Sequence, residues 1–83
     1  MRYPSAGSVF RDPPGHFAGE LMEKASLKGC RIGGAQVSKK HANWIVSLGG
    51  ARAWDIVELV EMIEKEIFGT FGVRLEREIR ILQ

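Results

Sequence analysis

The chain has 83 residues, 45% hydrophobic and 27% charged, with a net charge of +2 and a single cysteine. That length allows one small domain, which buries roughly 60–65% of its unfolded surface on folding. The composition is neither disordered nor fibrous, a lone Cys30 excludes an internal disulfide, and no basic run extends beyond Lys39-Lys40, which argues against nucleic acid as a partner. No stretch approaches the ~20 apolar residues that cross a membrane. Pro4, Ser5 and Gly7 interrupt any signal-peptide core, so a cytoplasmic location with no membrane partner is expected.

In chain order, residues 8–11 are expected to form a short strand, broken by Pro13-Pro14-Gly15. From His16 to Ser26 the apolar residues Phe17, Leu21 and Ala25 recur every fourth position, with Glu20, Glu23 and Lys24 on the other side. This is the pattern of a short amphipathic helix. Gly19 inside it costs about 1 kcal/mol relative to alanine, which points to close packing against a neighbour. Leu27-Lys28-Gly29 reads as the exit from that helix. Cys30 to Ser38 alternates around Gly33-Gly34 and reads as strand, tight turn, strand. Lys39 to Asn43 is a polar connection, and Trp44 to Leu48 is a β-prone run closed by Gly49-Gly50.

Ile56, Val60, Ile63, Ile67 and Phe71 then follow a helical rhythm, widened by Val57 and Leu59. The pattern predicts a helix over 53–71, about five turns long. Glu58, Glu61, Glu64 and Lys65 occupy its outer surface, and Glu61–Lys65 is a favourable pair one turn apart. No Ser, Thr, Asp or Asn precedes Ala53, so the N-cap is poor and Asp55 compensates in part through the helix dipole. Gly69 and Gly72 end the helix, and residues 73–81 alternate as a closing strand interrupted by Arg77. The order β-α-β-β-β-α-β predicts an α+β fold, with two helices packed on one face of a small mixed or antiparallel sheet.

No metal-ligand spacing surrounds His16 or His41, and the glycine pairs match neither a dinucleotide fingerprint nor a phosphate loop, so they read as turns. Trp44 and Trp54 read as packing residues rather than a stacking platform. Ser8 sits in a glycine-containing turn near Arg11, without a nucleophile elbow or a His-Asp relay, so a hydrolase nucleophile is not expected. Glu76 and Glu78 lie two apart on the closing strand. If the two ends meet, a hydroxyl and a carboxylate share one site, which suits acid/base work. A turn role for Ser8 and solvated strand positions for the glutamates remain open. The residues by themselves lead to a small cytoplasmic α+β domain. A non-catalytic basic module that binds anionic ligands or protein partners is the alternative to a catalytic one.

Four blocks of the chain, in order, resemble the C-terminal domain of the UDP-N-acetylenolpyruvoylglucosamine reductase (MurB) family of bacterial cell-wall synthesis. Pro4-Ser5-Ala6-Gly7-Ser8-Val9-Phe10 is similar to the family's S-A-G-S-x-F-[KR] segment. Ala18-Gly19-Glu20-Leu21 with Leu27-Lys28-Gly29 is similar to its helix and exit. Arg31-Ile32-Gly33-Gly34-Ala35-Gln36-Val37-Ser38, followed by Lys40-His41-Ala42-Asn43, is the most specific block. Leu75-Glu76-Arg77-Glu78-Ile79-Arg80 resembles the closing L-E-P-E-V-R. Together the blocks span nearly the whole chain.

The resemblance implies an oxidoreductase that uses NADPH and FAD to reduce UDP-N-acetylglucosamine enolpyruvate to UDP-N-acetylmuramate in peptidoglycan synthesis. It implies that Ser8 is the proton donor to the substrate's α-carbon, and that Glu78 acts as an acid or hydrogen-bond partner on the enol. Arg11 and Gln36 match substrate-side positions. The chain departs from the family pattern in three places: Asp12 where Asn or a basic residue is common, Arg77 where Pro separates the glutamates, and Arg52 where a capping Thr is frequent. The family's FAD-binding portion precedes this domain and is expected to be a separate partner absent from this chain. Residues 1–83 would then form a single domain that binds neither FAD nor NADPH by itself and is inactive alone.

Overall fold

The structure, a computed structural model, describes residues 9–78. It contains, in order, β1 (Phe10–Arg11), α1 (Ala18–Lys24), β2 (Arg31–Ile32), β3 (Ala35–Val37), β4 (Ile45–Ser47), α2 (Ala53–Phe71) and β5 (Glu76–Arg77). Element types and order agree with the sequence pattern, and α2 has the expected bounds. The fold is α+β.

The long helix organises the core. Ile56, Leu59, Val60, Ile63 and Ile67 are buried along one stripe of α2, as the spacing requires, and each such side chain contributes about 1.5–3 kcal/mol relative to exposure. That stripe packs on β2 and β3, and α1 packs against α2. Within β3 the alternation is strict: Ala35 and Val37 are buried, while Gln36 between them is half-buried on the other side. Gly72 ends α2 in the left-handed conformation (φ 70°), with its N–H donating to the Phe68 carbonyl at 2.8 Å. Gly69, also expected at the end, lies inside the helix.

The expected single sheet is in fact two antiparallel sheets, β2-β3-β4 and β1-β5. The three-stranded sheet pairs Ile32 with Ala35 and Val37 with Ile45. The two-stranded sheet pairs Phe10 with Arg77 and Arg11 with Glu76. The division falls at Asn43, where a side-chain amide takes the place of a backbone ladder. The closing strand begins at Glu76 rather than at position 73, and its expected positions 79–81 lie outside the described residues.

Both glycines of the β2-β3 turn are required. A Cβ on Gly33 (φ +55°) would lie 2.5 Å from Asp55 Cγ, and one on Gly34 would lie 2.7 Å from the Ala51 backbone. The turn is thus pressed against the start of α2. Gly19 is different: a Cβ there would meet Asn43 Cβ at 3.8 Å, an ordinary contact, so the expected close approach is absent. Trp54 does not join the core and is 68% exposed. Trp44 is half-buried, with its ring tilted against His41 at 5.1 Å.

Candidate functional site at the paired outer strands

The two strands nearest the ends of the chain meet. The Glu78 N–H donates to the Val9 carbonyl at 2.8 Å, which places Phe10 and Arg77 as a non-hydrogen-bonded pair of the antiparallel ladder. In such a pair the N–H groups point away from the partner strand, so a proline at position 77 would take no bond from β1. The Arg77 side chain docks β5 on α2. Its Nε and Nη2 donate to the two Glu64 carboxylate oxygens at 2.8 and 2.9 Å. That hydrogen bonding raises the Arg77 pKa above its usual value and keeps the guanidinium charged.

Of the residues expected at the site, Arg11 and Glu78 are described on this two-stranded sheet, and both are exposed. Arg11 faces Glu76 across the ladder. Ser8 lies outside the described residues; its neighbour Val9 carries the bond to Glu78. Gln36 sits on the other sheet, where its Nε2 donates to the Gly29 carbonyl at 3.0 Å. The structure therefore pairs Arg11 with Glu76 and bonds Glu78 to Val9, while Gln36 belongs to the three-stranded sheet. Asp12 has a different task from any contact with an anion: its Oδ1 accepts the Ala18 N–H at 2.9 Å and so caps the start of α1.

Asn43 escaped the sequence reading. Its Oδ1 accepts the Phe10 N–H at 3.0 Å, and its Nδ2 donates to the Phe10 carbonyl at 2.9 Å. Its own carbonyl accepts the Val9 N–H at 2.8 Å. A carboxamide carries the same donor and acceptor as a peptide unit, so an Asn between two strand runs can stand in for a strand. That was the available signal. The side chain is half-buried beside Ala42, and it lines an open groove with Gly19, Glu20, Lys40, His41 and Trp44.

A second cluster surrounds the start of α2. Asp55 Oδ2 accepts the Arg52 N–H at 3.1 Å and the Gly34 N–H at 3.3 Å. These bonds, the one from Arg52 foremost, hold the Asp55 carboxyl below the usual carboxylate value. Arg52 has no side-chain acceptor to return to the helix, so only half of a reciprocal capping box forms. Asp55 and Ala51 fill the space above Gly33 and Gly34. That turn is therefore a helix dock. Among the described residues no helix is long and apolar enough to cross a membrane.

Comparison with known proteins adds the family. Residues 1–82 match the family model described as UDP-N-acetylenolpyruvoylglucosamine reductase, C-terminal domain. The chain is 65% identical over 79 residues to the UDP-N-acetylenolpyruvoylglucosamine reductase of Syntrophobacter fumaroxidans, covering 95% of this chain and 23% of that protein. It is 54% identical over 81 residues to reductase 2 of Symbiobacterium thermophilum, covering 98% of this chain and 26% of the relative. The crystal structure of the enzyme from Thermus caldophilus superposes with a TM-score of 0.73 at 42% identity, covering 94% of this chain and 28% of that one. The chain thus spans about a quarter of the length of the curated relatives it matches.

Proposed function

Because the chain belongs to the UDP-N-acetylenolpyruvoylglucosamine reductase C-terminal domain family, we propose that it forms the substrate-side portion of such a reductase. In this reading its residues protonate the substrate, UDP-N-acetylglucosamine enolpyruvate, on the way to UDP-N-acetylmuramate in cytoplasmic peptidoglycan synthesis. FAD, held by the remainder of such a reductase and reduced by NADPH, would supply the hydride. The observation that supports the reading is the bond from the Glu78 N–H to the Val9 carbonyl, which brings the closing strand to the residue that follows Ser8.

Hydride arrival at the β-carbon breaks the carbon–carbon double bond, and the electron pair passes to the α-carbon and its carboxylate as an enolate. The Ser8 O–H bond then breaks and its proton bonds to the α-carbon. A hydroxyl is a weak acid, so positive charge has to offset the alkoxide that forms. Arg11, three residues along, supplies that charge. Glu78 serves as hydrogen-bond partner or acid toward the enol. A carboxyl keeps a proton near neutral pH only where burial or a like charge opposes its ionisation. Glu78 is exposed on this chain, so in this reading its cover comes from bound substrate and the remainder of the reductase, with Glu76 as the like charge nearest in sequence.

Single-turnover kinetics on the longer reductase that carries this sequence tests the proposal. Ser8→Ala and Glu78→Gln are expected to leave flavin reduction by NADPH intact. Reoxidation by the enolpyruvyl substrate should slow by about 10²-fold or more, the range of a lost general acid. Equal losses in both half-reactions, or none in the second, would remove the assignment.

A further inference from the structure

Residues 9 and 10 are gripped from both sides. On one side Glu78 bonds the Val9 carbonyl; on the other, Asn43 makes three bonds, two to Phe10 and one to Val9. The Val9 and Phe10 side chains are each 1% exposed, so the core fixes the same two residues from below. Asn43 is itself well held. Ser38 Oγ accepts the Lys40 and His41 N–H groups at 3.1 Å, and the Ser38 N–H donates to the Trp44 carbonyl at 2.8 Å. The β3-β4 hairpin thus presents Asn43 to the segment that follows Ser8.

We propose that Asn43 is a positioning residue for the Ser8 hydroxyl, acting through the two-bond clamp of its carboxamide on Phe10. The proposal rests on the reading of Ser8 as proton donor. Its physical basis is that the carboxamide bonds both backbone groups of Phe10 on the edge opposite β5, which fixes the direction of the strand. Protonation creates a stereocentre at the α-carbon, so the donor has to stay on one face of it. A displacement near 1 Å can cost about 10²-fold in rate, and solvent can then protonate either face. The clamp needs a donor and an acceptor on one side chain. An Asn43→Asp change would retain an acceptor for the Phe10 N–H but set a second oxygen against the Phe10 carbonyl; Asn43→Leu would offer neither group.

Asn43→Leu, Asn43→Asp and Ser8→Ala in the longer reductase test this, with hydrogen exchange on the peptide spanning Val9 and Phe10 as a readout independent of turnover. The Asn43→Leu variant should exchange at least about tenfold faster at that peptide, the worth of one lost hydrogen bond. Asn43→Asp should fall between it and the parent, and remains the usable variant if Asn43→Leu does not fold. Flavin reduction by NADPH should be unchanged in both. The substrate half-reaction should slow by about 10- to 100-fold at unchanged substrate KM, and a measurable share of product should carry the opposite configuration at the α-carbon. Unchanged exchange at Val9–Phe10 would overturn the clamp. Faster exchange with parental rate and stereochemistry, while Ser8→Ala is slow, would overturn the positioning role and leave the Ser8 assignment standing. If Ser8→Ala itself is not slowed, the parent reading falls, and the positioning role with it.

Discussion

The glycines of this chain do unlike work, and a pair of substitutions separates them. Gly34 lies against the Ala51 backbone, where an added methyl would sit at 2.7 Å with no flexible side chain to move aside. Gly34→Ala should therefore destabilise by about 1–3 kcal/mol, as overpacking does, and displace the β2-β3 turn from α2. Gly19 is helical, and its space is open out to an ordinary 3.8 Å contact with Asn43. Gly19→Ala should raise stability by up to about 1 kcal/mol through helix propensity alone. Urea midpoints of the two variants should move in opposite directions; a loss on Gly19→Ala would mean that the groove beside Asn43 needs the missing methyl. Asn43 and Asp12 carry a related lesson. Each bonds a backbone group far from its own position in the chain, at Phe10 and Ala18. Periodicity records where apolar side chains fall and says nothing of which amide a polar side chain will reach. Such residues were legible only as polar loop positions.

At the level of elements, the first turn of α2 depends on one carboxylate. Asp55 bonds both the helix start at Arg52 and the sheet turn at Gly34, so its ionised form ties α2 to β2-β3. Because the Asp55 pKa is lowered in the folded chain, its contribution is present above the ordinary carboxylate value of about 3.9. It is lost as pH falls below that value through the folded one. The gap in urea midpoint between the parent and Asp55→Ala should thus be widest at neutral pH and close on acidification; a gap independent of pH would show that packing, not ionisation, carries the effect. The apolar rhythm from Ile56 to Phe71 was enough to bound this helix, because tertiary burial follows the same stripe. The same alternation reached ahead of β5: Leu75 is buried, yet the pairing begins at Glu76. It also implied one sheet, where the Asn43 amide divides two. For the candidate site, β1 and β5 pair, while Ser8 lies outside the described residues. Gln36, expected on the substrate side, lies on β3 and donates its amide to the Gly29 carbonyl.

Across the whole molecule, a single cluster of buried residues joins every layer, from Val9 and Phe10 through Met22 and Val37 to Ile63 and Leu75. One continuous core in a chain this small favours one cooperative unfolding transition. Ile63 is fully buried at the middle of α2: Ile63→Ala should cost about 2–5 kcal/mol, a large part of the ~5–15 kcal/mol that holds a typical domain. Arg11 and Glu78 stand exposed, and the space above the Gly33-Gly34 turn is filled by the protein's own Asp55 and Ala51. The expected outcome for the purified 83-residue chain is therefore a sharp urea transition, no flavin absorbance after incubation with FAD and removal of the excess, and no NADPH oxidation when UDP-N-acetylglucosamine enolpyruvate is added. A retained flavin spectrum would show that these residues hold the cofactor after all. A broad, non-cooperative transition would show that the core requires the contacts made by the other three-quarters of the related reductases' length.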